Sequence, residues 1–239
     1  MSVIQQEIKK FTSLASKWWS DEFSPFLMLH YINPVRLRYI TKQIKCHYKL
    51  ENAADYSHLR ILDVGCGGGL CSIPLARLGA KVKGIDAGKE NIEAAKTQAN
   101  IKGISAEFST ELLEDTIGEY DVIICLEVLE HVESFQDFFK EFARLLKPGG
   151  LLIISTINRT IKSKLLAIYV AEYIAGLLPK GTHKWDKFIK ASEIVMAGSN
   201  NNLQCFDISG ISFNLLEKDW NISKDISVNY IASFKALPF

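Results

Sequence analysis

Two rhythms of apolar residues alternate along the middle of this chain. Short apolar runs at 61–64, 80–85, 104–108, 120–126 and 151–156 read as buried strands. Between them, apolar residues fall at helical spacing: at 70–79, ending on Gly79, and at 88–103, with Ile92, Ala95 and Ala99 on one face. A third such stretch carries Phe135, Phe138, Phe139, Phe142, Leu145 and Leu146. Pro74 lies in the first turns of its helix, where a missing N–H costs least, and Ser134 is placed to cap the phenylalanine-rich one. Lys147-Pro148-Gly149-Gly150 predicts a sharp stop before the fifth strand. Strand alternating with helix predicts an α/β fold of the doubly wound kind, a mixed sheet of about seven strands with helices on both faces.

The ends of the chain are less regular. Residues 2–20 show helical spacing (Ile4, Ile8, Phe11, Leu14, Ala15, Trp18) and finish on Trp18-Trp19, two rings that point in different directions on a helix. They read either as a staple holding this helix to the domain or as a roof for a ligand. Asn33-Pro34 predicts an N-cap and first helical residue, for a helix running to Tyr48. A polar connector follows at 51–55, and His47 and His58 read as surface residues. Beyond the fifth strand, Ser192 is placed to cap a short helix ending at Gly198. Strands are expected at 203–206, 211–216 and 226–234, the last alternating well (Ile226, Val228, Tyr230, Ala232, Phe234) as in the antiparallel edge region of a mixed sheet.

The first strand opens into Asp63-Val64-Gly65-Cys66-Gly67-Gly68-Gly69, a loop that brings backbone close to a ligand. The next strand ends on Asp86. Strand, glycine loop, helix, strand and acid form the nucleotide half of a doubly wound sheet. The spacing Gly65-x-Gly67-x-Gly69 puts the third glycine one place early for a dinucleotide fingerprint. A carboxylate at Asp63 would also repel a pyrophosphate and welcome an ammonium group. The ligand implied has a cationic amino-acid end near Asp63 and a ribose on Asp86, which describes S-adenosylmethionine (SAM) lying over Gly65 and Gly67. NAD is the rival ligand, and a tight turn without any ligand is the plainest reading. Arg36, two residues into its expected helix, has the reach to meet the carboxylate of the methionine part.

The fourth strand delivers Glu127-Val128-Leu129-Glu130-His131 to the same edge of the sheet. If the segment turns helically, Glu127, Glu130 and His131 converge. Two carboxylates and an imidazole suit either a divalent metal or proton removal from an acceptor hydroxyl, with His131 the natural base. A capped turn is the plainer alternative.

Between 160 and 185 lies an insertion whose centre, 165–178, is apolar apart from Glu172 and is flanked by Lys162, Lys164, Lys180 and Lys184. It is too short to span a bilayer. A helix at the membrane surface and a lid over the substrate are both open. His183, in the turn-rich segment after it, is a second candidate base. The chain thus divides into a helical cap at 1–55, the core at 56–159, the insertion at 160–190, and C-terminal strands at 191–239 that complete the same domain.

Composition narrows the field. With 239 residues, 48% of them hydrophobic, the chain can bury one sizeable core. A net charge of +1 and the lack of a basic run argue against nucleic-acid binding. Five cysteines, odd in number and without metal-type spacing, read as reduced thiols in a bacterial cytoplasm. No signal or arginine-rich transit pattern opens the chain, and an organellar chain already processed is the alternative.

Several longer segments are more specific than the glycine loop: Phe11 to Trp18-Trp19, Leu29-His30-x-Ile32-Asn33-Pro34-x-Arg36, and Leu126-Glu127-Val128-Leu129-Glu130-His131-Val132. To these add Ser155-Thr156-x-Asn158-Arg159, Ala171-Glu172-Tyr173-Ile174 and Pro179-Lys180-Gly181-Thr182-His183-x-Trp185. Together they make nearly the whole chain resemble the ubiquinone-biosynthesis O-methyltransferases, bifunctional class I SAM-dependent enzymes with a Rossmann-like fold. The resemblance implies O-methylation of two polyprenylated catechols, 2-polyprenyl-6-hydroxyphenol and 3-demethylubiquinol. It implies SAM binding at Arg36, Gly65, Asp86 and Leu126, and Mg²⁺ held by Glu127, Glu130 and His131. It also implies attachment of 161–178 to the inner-membrane surface and work within a quinone-biosynthesis complex. The chain departs from the family pattern at 20–28, which lacks a glycine, and at Phe213-Asn214-Leu215, where the family has Tyr-Asn-Pro. A methyltransferase for another small hydroxylated acceptor, an NAD-dependent oxidoreductase and a catalytically silent SAM-binding scaffold are the rivals.

Overall fold

A computed structural model describes the fold over residues 12–20, 26–51, 56–164, 185–214 and 216–238. The expected N-terminal helix, most of the apolar insertion, His183 and Leu215 lie outside the described residues. At its described end the N-terminal segment is helical only at Thr12 and then tightens into a 3₁₀ turn, Ala15–Lys17, so the helix expected to reach Trp18-Trp19 stops short of them.

One eight-stranded sheet organises the rest, in the order β3-β2-β1-β4-β5-β8-β6-β7. Five strands run parallel: β1 Arg60–Val64, β2 Lys81–Asp86, β3 Glu107–Thr110, β4 Tyr120–Leu126 and β5 Leu146–Ile157. The other three, β6 Leu203–Asn214, β7 Asp219–Ser223 and β8 Asn229–Ala236, are antiparallel. The α-helices described from end to end are α1 Leu27–Tyr48, α2 Ser72–Arg77, α3 Lys89–Ile101, α4 Phe135–Leu145 and α5 Ala191–Ser199.

Each face of the sheet has its own core. On one, Phe138, Phe139 and Phe142 of α4 pack with Leu152, Ile154 and Phe234, so the phenylalanine stripe is core, as its spacing implies. On the other, Ile32, Val35, Ile40 and Ile44 of α1 pack with Ile61, Val122 and Ile153. Because β1 is continued by β2 on one side and flanked by β4 on the other, strand order reverses between β1 and β4. In such sheets the crevice beyond the carboxyl ends of those two strands takes the ligand.

Several boundaries differ from the sequence reading, each for a physical reason. Helix α1 starts at Leu27, so Pro34 sits inside it and Asn33 does not cap. Burial of Ile32 and Val35 outweighs the hydrogen bond that Pro34 cannot give, and Asn33 spends its amide on Leu70 O at 2.8 Å. Strand β3 begins only at Glu107, because the Ile104 N–H turns back to Ala99 O and closes the end of α3. The Lys147–Gly150 stretch is an irregularity within β5, marked by a register shift against β4, rather than a stop before it. Helix α5 starts one residue before Ser192, with the Glu193 carboxylate reaching back to the Lys190 N–H at 2.8 Å.

The strands expected at 203–206 and 211–216 are one strand bent at Cys205–Asp207, and a further edge strand, β7, makes the total eight. Strand β8 is antiparallel as its alternation implies, but it lies between β5 and β6 and not at the edge. His58 is exposed. His47 is not simply a surface residue, since its ring meets Gly149 O at 2.7 Å and ties α1 to β5. All five cysteines are free thiols, with Cys66, Cys71 and Cys125 buried.

Candidate active site

The glycine loop leaves β1 at the switch point and is tied by its own backbone: the Gly65 and Cys66 N–H groups both donate to Ile85 O, at 2.8 and 3.0 Å. Gly67 has φ +51°, and a Cβ there would lie 2.4 Å from the ring of Trp18. Only glycine meets both demands. The end of β2 sets Asp86 against this loop. Its Oδ2 accepts from the Gly67 N–H at 3.1 Å, and its Oδ1 from the Gly88 N–H at 2.7 Å and the Asn91 amide at 3.1 Å. Burial raises the Asp86 carboxyl above its ordinary value, while these three donors pull the other way.

Asp63, in β1, is only 3% exposed. Its Oδ2 accepts from the Ser72 hydroxyl at 2.5 Å, and burial pushes its carboxyl up to about 7 despite that bond, with the Asp86 charge adding to the rise. A carboxyl poised there takes a cation only after losing its proton. If Asp63 holds the cofactor's ammonium group, affinity for S-adenosylhomocysteine (SAH) falls as pH drops below about 7, approaching tenfold per pH unit, with a proton released on binding. Calorimetry in two buffers of different ionisation enthalpy reads both effects, and Asp63→Asn should abolish the acid limb.

Strand β4 ends at Leu126, and the next residue, Glu127, adopts φ 54°. That conformation is uncommon for a residue with a side chain and is held here by the Glu127 N–H donating to Ser155 O at 2.9 Å. The Glu127 Oε1 receives Arg36 at 2.7 Å and the Ser155 hydroxyl at 2.7 Å. Arg36 is 5% exposed, and its Nε has no partner. Glu130 lies in the 3₁₀ turn Leu129–His131, with Oε2 accepting from the Thr156 hydroxyl at 2.8 Å and Oε1 unpartnered. Burial first, and then the neighbouring Glu127 charge, raise the Glu130 carboxyl well above the usual carboxylate range.

The predicted residues therefore gather in part. Asp63, Gly65, Gly67, Asp86 and Leu126 lie at or just beyond the carboxyl ends of β1, β2 and β4, and Arg36 reaches the same end of the sheet through its pairing with Glu127. Glu127 and Glu130 lie together, but among the described residues no group of three or more His, Cys, Asp or Glu side chains is gathered as metal ligands. The expected convergence of Glu127, Glu130 and His131 on one ion is thus incomplete. Glu127 is already engaged by Arg36 and Ser155, and the tight turn does not complete a set with His131. As arranged, these side chains do not fit a three-ligand Mg²⁺ centre.

Both tryptophans serve the loop. The Trp19 indole N–H donates to Gly68 O at 2.8 Å, and Trp18 covers Gly67 and Gly68, which is the staple reading. Sequence reasoning passed over Ser72 and Asn91, which act on the acids from neighbouring helices, and no periodicity marks either one.

Comparison with known proteins decides what this constellation belongs to. A protein family described as a methyltransferase domain matches residues 37–206. The ubiquinone biosynthesis O-methyltransferase of Pelagibacter ubique is 43% identical over 98% of this chain and 98% of its own length. That of Rickettsia typhi is 45% identical over 96% of this chain and 92% of its own.

The chain belongs to the ubiquinone biosynthesis O-methyltransferase family.

Solved structures place the fold of this O-methyltransferase among SAM-dependent enzymes. Magnesium protoporphyrin IX methyltransferase from Synechocystis with bound SAH matches with a TM-score of 0.61 at 24% identity, over 84% of this chain and 81% of that one. A SAM-dependent methyltransferase from Thermotoga maritima matches with a TM-score of 0.64 at 15% identity, over 98% and 100%. The chain is a SAM-dependent methyltransferase, and the oxidoreductase reading falls away.

Proposed function

We propose that this chain methylates a catechol oxygen of polyprenylated ubiquinone precursors, 2-polyprenyl-6-hydroxyphenol and 3-demethylubiquinol, with SAM as donor. The observation that carries the reading is that Arg36, Glu127 and Glu130 gather just past the end of β4, a strand paired with the β1 that carries Asp63 and one strand removed from the β2 that ends on Asp86, in a chain more than 40% identical to its named relatives across their length.

Asp86 takes the ribose hydroxyls, Gly65, Gly67 and Leu126 border the cofactor, and Asp63 faces its ammonium group. Arg36 offers its unpartnered Nε to the methionine carboxylate. The catechol oxygen attacks the methyl carbon in line: the carbon–sulfur bond breaks as the carbon–oxygen bond forms, leaving SAH and an ether. The catechol proton goes to the His131 imidazole, with Glu130 and Glu127 ordering the acceptor. Holding donor and acceptor in line supplies much of the acceleration. The polyprenyl tail is served by the 161–178 segment at the inner-membrane surface. That suits Ile161, 77% exposed beside Lys162 and Lys164, and no helix among the described residues is long and apolar enough to cross a membrane. Assembly with other quinone-pathway enzymes fits a substrate that stays in the bilayer.

The test is methyl transfer from labelled SAM to a short-chain demethylubiquinol analogue, with and without chelator, for the native chain and a Glu130→Gln/His131→Ala variant. Transfer by the native chain and a loss of at least about 100-fold in the variant are expected. Transfer that stops on chelation would restore a divalent cation on the Glu127–Glu130 pair. Activity on soluble phenols but not on the prenylated analogue would overturn the substrate.

A further inference from the structure

The Asp86 carboxylate is held by more than its own loop, and its third holder leads away from the crevice. Asn91, in the first turn of α3, is 4% exposed. Its amide N–H donates to Asp86 Oδ1 at 3.1 Å, and its Oδ1 accepts the Trp18 indole N–H at 2.9 Å. An indole N–H only donates and a carboxylate only accepts. These two partners therefore leave the Asn91 amide one orientation. Turned over, its oxygen would face the carboxylate and its NH₂ the indole N–H.

Trp18 is itself seated on the glycine loop. Cβ atoms at Gly67 and Gly68 would come within 2.4 and 2.6 Å of its ring, and Phe26 stacks on it with ring centres 3.7 Å apart.

We propose that Asn91 is a positioning residue that couples docking of Trp18 to the orientation of Asp86, so that the N-terminal segment and the cofactor occupy the glycine loop cooperatively. The inference rests on Asp86 as the ribose acceptor. When Trp18 is docked, the Asn91 amide is locked and Asp86 keeps three donors that fix the plane of its carboxylate. When Trp18 leaves, Asn91 Oδ1 loses its donor in a buried place, the amide can rotate, and cofactor binding has to order Asp86 unaided. Coupling of this kind is reciprocal: a cofactor that fixes Asp86 favours docked Trp18 by the same factor.

The experiment measures SAH affinity, KM for SAM and kcat for the native chain, Trp18→Phe, Asn91→Leu and the double variant, with thermal unfolding of each. Each single change is expected to weaken SAH and raise KM by about 5- to 20-fold, with kcat within about twofold, and the double should be no worse than the weaker-binding single. Single-variant affinities within twofold of native, or penalties that multiply in the double, would overturn the coupling. Should Asn91→Leu fail to fold, ¹⁹F spectra of the native chain labelled with 5-fluorotryptophan decide. The Trp18 resonance, assigned by its absence from Trp18→Phe, is expected to shift and sharpen with SAH, and an unchanged resonance at saturation would sink the proposal. A native chain that binds no SAH would remove the cofactor reading and the coupling together, whereas SAH binding with independent variants removes the coupling alone.

Discussion

Replacing Asp86 with alanine is expected to weaken SAH binding by at least about 100-fold, because hydrogen bonds to a charged group contribute about 1.5–3 kcal/mol each and a ribose makes two. The change also strands the protein's own donors. The Gly67 and Gly88 N–H groups and the Asn91 amide all converge on this carboxylate, and each loses an acceptor that no neighbouring side chain replaces. Loop and ribose are thus disturbed at once. Asp86→Asn should fall between, since an amide keeps one acceptor oxygen but presents an NH₂ where donors already point. Isothermal calorimetry reads the loss, and circular dichroism checks that the sheet survives. A decrease smaller than tenfold for Asp86→Ala would mean that the ribose is held elsewhere.

Stability, not affinity, is where Glu127→Ala should tell most. Arg36 is buried and draws its charge partner from Glu127 at 2.7 Å. Removing one member of a buried pair leaves an uncompensated charge, at a cost of about 3–5 kcal/mol. For a chain of this length that lowers Tm by about 10 °C. Alanine at this position also keeps the unfavourable φ of 54° while losing the bond to Ser155. Glu127→Gln should lose less, because its amide oxygen can still accept from both partners. Saturating SAH should return part of the lost stability to Glu127→Ala, its carboxylate taking the vacated place on the guanidinium. Thermal unfolding followed by circular dichroism measures both. A Tm within about 2 °C of native would show that water already screens Arg36.

How far the sequence leads depends on whether a feature is local. Strands β1, β2 and β4 and the helix after Gly88 follow from apolar runs and glycine stops that each segment carries itself. Asp63, the glycine loop and Asp86 are legible for the same reason, since one βαβ unit holds all three. Arg36 was visible only as a residue with reach, because its burial depends on Pro34 lying inside a helix that tertiary packing extends back to Leu27. The Glu127–Glu130–His131 segment announced its chemistry but not its geometry: a 3₁₀ turn and a left-handed Glu127 are set by Ser155 and Thr156 on the neighbouring strand. Asn91 was invisible, because its importance comes from two partners, Asp86 and Trp18, that chain order keeps apart. The bend in β6 and the added edge strand β7 escaped for a related cause, since pairing with β8 rather than any local pattern makes 203–214 one strand.

Strand β8 carries the fully buried Tyr230, Ile231, Ala232 and Phe234, and it sits between β5 and β6 although both precede it in the chain. The two halves of the sheet are therefore joined only through a strand that follows both of them in the chain. Until β8 is in place, the parallel half and the β6–β7 hairpin stay unjoined, and the edges of β5 and β6 that face β8 are open to pairing with another chain. A truncation that removes residues 229–236 would therefore leave two unjoined sheets and not a trimmed edge.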